Sequence, residues 1–201
     1  DNFSIHLCLF NRHSWRNSFN MAKRHFIDLQ KEFENIQYFS LKRVKLAVKQ
    51  IEHQPQLIVD ARKMMFNKDP QKSMRAAWLM LHASFEYPEL VKKQLPYVIK
   101  LLEQPNLHTG TIRSSIRLFQ ELDLPEKYVS KMFDLCLNYT KNSTLPHGVR
   151  AFAINVLGVI CKKYPDLKHE VLLVLNELSS FPQPPSINFC IKKTSKILLK
   201  L

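Results

Sequence analysis

The feature that most constrains this chain is a pattern that returns. Ser73-Met-Arg-Ala-Ala-Trp-Leu-Met-Leu81 reappears as Thr111-Ile-Arg-Ser-Ser-Ile-Arg-Leu-Phe119 and again as Gly148-Val-Arg-Ala-Phe-Ala-Ile-Asn-Val156. The aligned apolar residues Met74, Ile112, Val149 and Ile187 lie 38, 37 and 38 positions apart. A fixed period of that length marks units that cannot bury their apolar faces alone and must stack on one another. The pattern within each unit has helical spacing, so an all-α solenoid is expected.

Taken in order, the apolar spacing predicts irregular N-terminal helices over 21–67, at about 22–38, 40–53 and 55–67. Three regular hairpins follow at 69–103, 107–141 and 146–179, and a terminal half repeat at 185–201. Asp69-Pro70 is a helix start, because the Asp carboxylate accepts from free N–H groups and Pro tolerates the first helical position. Pro88, Pro125 and Pro165 open the second helices. The first-helix faces expected to point inward are Met74, Ala77, Trp78, Leu81 and Phe85, then Ile112, Ser115, Ile116 and Phe119, then Val149, Phe152, Ala153, Val156 and Ile160. In the N-terminal part Phe26, Leu29, Phe33 and Ile36, then Leu41, Val44, Val48 and Ile51, fill that role. Pro96 falls inside a second helix and is expected to kink it.

These residues resemble the HEAT repeat family, with Met74-Arg75-Ala76-Ala77, Ile112-Arg113-Ser114-Ser115 and Val149-Arg150-Ala151-Phe152-Ala153 matching its first-helix core. The resemblance covers roughly 40–201 and departs at Asn188, where the arginine would fall. It implies a right-handed α-α superhelix whose second helices line a concave surface, used mainly to hold proteins and sometimes nucleic acid. It implies no catalytic residue, and Arg75, Arg113 and Arg150 are expected to be structural joints between repeats.

Composition narrows the function classes. Three glycines leave no phosphate-cradling loop. The eight histidines have no metal-site spacing, and the four cysteines form no CxxC pair, so neither a metal nor any other cofactor is expected. Cys136, Cys161 and Cys190 fall in apolar helical surroundings, as in a reducing compartment. No segment reaches the roughly 20 apolar residues of a membrane span. Residues 1–20 lack a secretion signal and read as a weakly ordered extension before a natural start at Met21, so the chain is expected in the cytoplasm.

Thirty Lys/Arg against 17 Asp/Glu favour an anionic partner, with the excess concentrated in 39–70 and 181–201. On the second helices Lys92, Lys93, Lys100, Lys127, Lys131 and Lys168 are the candidate contacts. The expected function is a non-enzymatic adaptor holding a protein partner on those helices. The alternative is a basic DNA- or RNA-binding array, similar in shape to the alkylpurine DNA glycosylases, whose aromatic-and-aspartate site finds no matching positions here. Trp78 is expected in the core, and basic regions without interleaved exposed aromatics weigh against single-strand stacking.

Overall fold

The computed structural model describes residues 28–34 and 40–201; residues 1–20, Met21, Phe26 and Ile36 lie outside them. Eleven α-helices and no strand occur among the described residues. They are α1 (Leu29–Glu34), α2 (Leu41–Gln50), α3 (Gln56–Met64), α4 (Pro70–Glu86), α5 (Pro88–Lys92), α6 (Leu95–Leu102), α7 (Thr109–Glu121), α8 (Val129–Lys141), α9 (His147–Lys163), α10 (Lys168–Ser179) and α11 (Pro185–Leu198).

Helix starts follow local chemistry. Asp69 Oδ1 accepts from the N–H groups of Gln71 (2.9 Å) and Lys72 (3.5 Å), with Pro70 in the first turn. Ser40 accepts from the Arg43 N–H, and His108 Nδ1 from the Gly110 N–H. Two second helices open with a single 3-10 turn next to proline, Glu126–Tyr128 after Pro125 and Pro165–Leu167. The first hairpin differs: its second half is split into α5 and α6, and Pro96 sits in the first turn of α6. Proline removes a donor and crowds the carbonyl four residues back, so the chain stops at Lys92 and restarts where that donor is not needed. The expected interior kink is therefore a break. Asn106, with φ of 60°, turns the chain from α6 into α7; Asn is among the few residues that tolerate this left-handed region.

The first helices form the tighter layer. α4, α7, α9 and α11 lie side by side in chain order, while α2 and α3 close on the other flank of α4. Small buried side chains permit that approach: Ala76, Ala77 and Ala83 in α4, Ser114 and Ser115 in α7, Ala151 and Ala153 in α9. At Gly158 a Cβ would meet Thr194 Cγ2 at 3.0 Å, so glycine lets α11 sit against α9. The repeat period appears directly as a hydrogen bond. Ser73 Oγ donates to the Met65 carbonyl (2.6 Å) and lies 3.1 Å from Oγ1 of Thr111, its equivalent one unit on.

In the split second half of the first hairpin Val91, Leu95, Val98 and Leu102 are all buried, and so are Ile99 and Leu101. The first-helix faces are broader than predicted. In α4 the core also takes Leu79, Met80 and Ala83, whereas Met74 and Trp78 are half-buried and Phe85 is 48% exposed. Leu41 is likewise 44% exposed, with Val44, Ala47, Val48 and Ile51 beneath it. A helix gripped on both flanks buries more than one stripe, and a one-stripe template misplaces its edges.

Candidate partner-binding surface

The three repeat arginines do not share one environment. Arg75 is 4% exposed and donates from a terminal nitrogen to the Phe33 carbonyl, tying α4 to α1. Arg150 is equally buried; its Nε–H donates to the Thr140 carbonyl (3.1 Å) and a terminal nitrogen to Gln183 Oε1 (3.3 Å). Burial pushes its pKa below the usual guanidinium range, and it bridges the end of α8 to the segment before α11. Arg113 instead points outward. Before α7, the Leu102 carbonyl at the end of α6 is taken by the Tyr139 hydroxyl (2.9 Å).

Of the second-helix lysines, Lys92 pairs with Asp123 (4.0 Å) and Lys131 with Glu103 (2.5 Å). Lys127 lies over the Tyr128 ring at 5.0 Å, Lys168 is half-buried, and Lys93 and Lys100 are exposed. Acidic side chains are interleaved with them throughout. The helical segments α3, α5, α6, α8 and α10, with their two 3-10 turns, hold eight Lys/Arg and seven Asp/Glu.

The first helices are different. α2, α4, α7, α9 and α11 hold fourteen Lys/Arg and two Asp/Glu, and only Arg75 and Arg150 among those cations are buried. Aromatic rings are set among the charges. Arg117 lies 5.9 Å from the Phe85 ring centroid and 5.5 Å from that of Phe152, and His82 stands edge-on between Trp78 (5.5 Å) and Phe85 (6.0 Å). Exposed Phe85 and half-buried Trp78 and Phe152 thus stand among the cations of the first helices. Desolvation, and then the positive charges of Arg117 and Lys45, lower the His82 pKa. That effect links α2, α4 and α7 across one surface.

Several concavities lie along this layer, and two of them border the exposed aromatic and aliphatic groups. One, about 280 Å³, is bounded by Trp78, Leu81, Arg113, Ser114, Arg117, Gly148 and Phe152. The other, about 400 Å³, lies toward the C-terminal ends of α7 and α9 and is lined by Phe119, Leu122, Leu124, Val129, Val156, Val159, Ile160 and Tyr164, with Asp123, Lys162 and Lys163 at its polar margin. Trp78 is thus a wall of a groove as well as a partner of the core. The layer was accessible to sequence reasoning, because the charge of first and second helices can be counted separately; position along the chain is the wrong coordinate.

Among the described residues no cluster of three His, Cys, Asp or Glu side chains could hold a metal ion, and no helix is long and apolar enough to cross a membrane. Cys136, Cys161 and Cys190 are buried free thiols; burial pushes Cys161 up to about 11 and raises the other two. Thiolate chemistry at neutral pH is disfavoured at all three. A family model described as a HEAT repeat domain matches residues 31–198. No curated protein and no solved structure matches the chain.

Proposed function

The chain belongs to the HEAT repeat family, and from that premise we propose that it is a non-catalytic scaffold holding a protein partner on the outward face of its first helices. One observation carries the reading: the first-helix layer joins nearly all the excess positive charge to exposed apolar groups, including Phe85 (48%) and Val159 (42%). The second layer is close to charge-balanced. Mixed charge is sufficient for a solvated helix face, so a one-sign layer points to a complementary, acidic partner.

A nucleic-acid reading draws on Arg117 between two rings, since guanidiniums beside aromatic faces suit stacked bases and phosphates. The aliphatic lining of the larger concavity favours protein, because it offers a base edge few donors and a leucine or phenylalanine side chain an apolar seat. Capture from nuclease-treated native extract decides between them. The expected result is a protein retained by the natural chain, lost with Arg113→Glu/Arg117→Glu and kept with Lys93→Glu/Lys100→Glu. Salt-sensitive binding to random duplex or single-stranded oligonucleotides, with no retained protein, overturns the proposal.

A further inference from the structure

We infer that the furrow between α7 and α9 binds an extended peptide carrying a carboxylate three residues away from a large aliphatic or aromatic side chain. The inference rests on the protein-partner reading above and specifies the segment recognised. It starts from the two unlike ends of that furrow.

At one end Arg113 has no carboxylate partner among the described residues, and Arg117 has only Glu121, at 3.9 Å with both side chains substantially exposed. A guanidinium beside a ring keeps its edge N–H groups free for a bidentate bond to a carboxylate, in a site partly shielded by Trp78 and Phe152. At the other end Val156, Val159 and Ile160 of α9 face Leu122 and Leu124 across about 400 Å³. That is ample beside the roughly 150 Å³ apolar cavity known to hold benzene. Lys162 and Lys163 flank this end without an ion-pair partner among the described residues; of the acids nearby, Asp123 is already near Lys92, and Glu121, which borders the adjoining space with Val159 and Lys162, is near Arg117. The margin therefore remains positive and selects against a basic peptide.

The spacing follows from helix geometry. Phe152 marks the charged end and Val159 the apolar end. Seven residues at 1.5 Å rise separate them by about 10 Å. An extended peptide advances about 3.3 Å per residue, so three residues cover that distance. Either chain direction satisfies it, giving an acidic residue three positions before or after the apolar anchor.

A display library of random decapeptides, selected on the purified full chain at physiological salt, tests this, and the best binder is resynthesised with a fluorescent label. The expected enrichment is Asp or Glu three positions from Leu, Ile, Phe or Met. Arg113→Gln/Arg117→Gln should weaken the labelled peptide about tenfold or more, as should Val159→Asp. Moving the peptide's acid next to its anchor should do the same. Far-ultraviolet circular dichroism and melting temperature check that each variant is folded. Peptides that lose affinity with these variants but show no such spacing overturn the inference and leave the scaffold reading intact. Peptides indifferent to all first-helix substitutions overturn both. A selection that enriches nothing overturns the inference.

Discussion

The two helical layers of this molecule solve the same folding problem and end with different surfaces. Each hairpin contributes one half to each layer, and both kinds of helix bury apolar side chains in a common core. Yet the first layer holds fourteen cations to two anions, while the second holds eight to seven and includes the Lys131–Glu103 and Lys92–Asp123 ion pairs linking its elements to neighbouring segments. Packing demands no such asymmetry. Repulsion among like charges costs some stability, and an exposed helix gains from opposite charges one turn apart. What folding does not require is best referred to binding, and the contrast makes the first layer the place to break it.

The largest effect should come from reversing charge on one layer at a time. Arg113→Glu with Arg117→Glu is expected to reduce affinity for an acidic partner about 100-fold or more, since lost attraction is joined by repulsion at a partly desolvated site. Lys93→Glu with Lys100→Glu, which places the same charge change on the second layer, should alter it by less than about threefold. Anisotropy titrations at physiological salt and at about 0.5 M salt measure both, and the gap should narrow in the higher salt. Equal losses from the two pairs would mean that net charge alone matters, and the layer comparison would fail.

A second contrast separates arginines that look equivalent in sequence. Arg150→Ala removes two hydrogen bonds and leaves the Thr140 carbonyl and Gln183 side chain without that donor. A cost of about 2–4 kcal/mol is expected. Arg113→Ala, at an exposed site, should stay within about 0.5 kcal/mol. Urea unfolding of the two variants measures the difference, and similar midpoints would remove the distinction between joint and surface arginine.

That pair also shows where sequence reasoning stops. The all-helical class and the stacking period are legible, because apolar residues at helical spacing return at a fixed interval. The first helices are packed on two flanks. There the same template assigns Phe85 and Leu41 inward and overlooks Leu79 and Met80. Pro96 is legible as a helix disruptor, but whether it bends or restarts the helix depends on how its neighbours pack. The candidate surface is legible in charge and not in geometry. Arg113 and Arg117 are visible as cations, whereas their nearness to Trp78 and Phe152 arises only when α4, α7 and α9 are laid side by side.

The tightness of the first layer gives a third, smaller effect. Gly158→Val would press a branched side chain against Thr194, which is itself β-branched and stiff, where even a Cβ meets Cγ2 at 3.0 Å. Overpacking of this kind costs about 1–3 kcal/mol. Hydrogen exchange should show the loss chiefly in Pro185–Leu198, the helix held by that contact. On the open face of the second layer, Asn176→Leu should change stability by no more than about 0.5 kcal/mol. If α11 kept its protection in Gly158→Val, the close approach of α9 and α11 would not be what secures the end of the stack.

The smallest effect is also the most local. His82 titrates below its usual range because burial and the charges of Arg117 and Lys45 disfavour the imidazolium, with Glu86 opposing them. In the free protein the unfolded chain therefore takes up this proton first as pH falls. The stability contributed by the lowered pKa is present in full above the unfolded value near 6.5 and is lost as pH falls from there through the folded value. A bound carboxylate beside Arg117 would offset the cationic repulsion and raise the His82 pKa, so binding of an acidic peptide should take up a fraction of a proton as pH falls below the ordinary imidazole value near 6.5. By linkage, affinity should rise modestly as pH falls through that range, provided the peptide's carboxylate remains ionised. Imidazole proton shifts followed with and without peptide measure the change directly. An unchanged or lowered His82 pKa in the complex would place the peptide's charge away from Arg117, and with it the ligand away from the aromatic end of the first-helix layer.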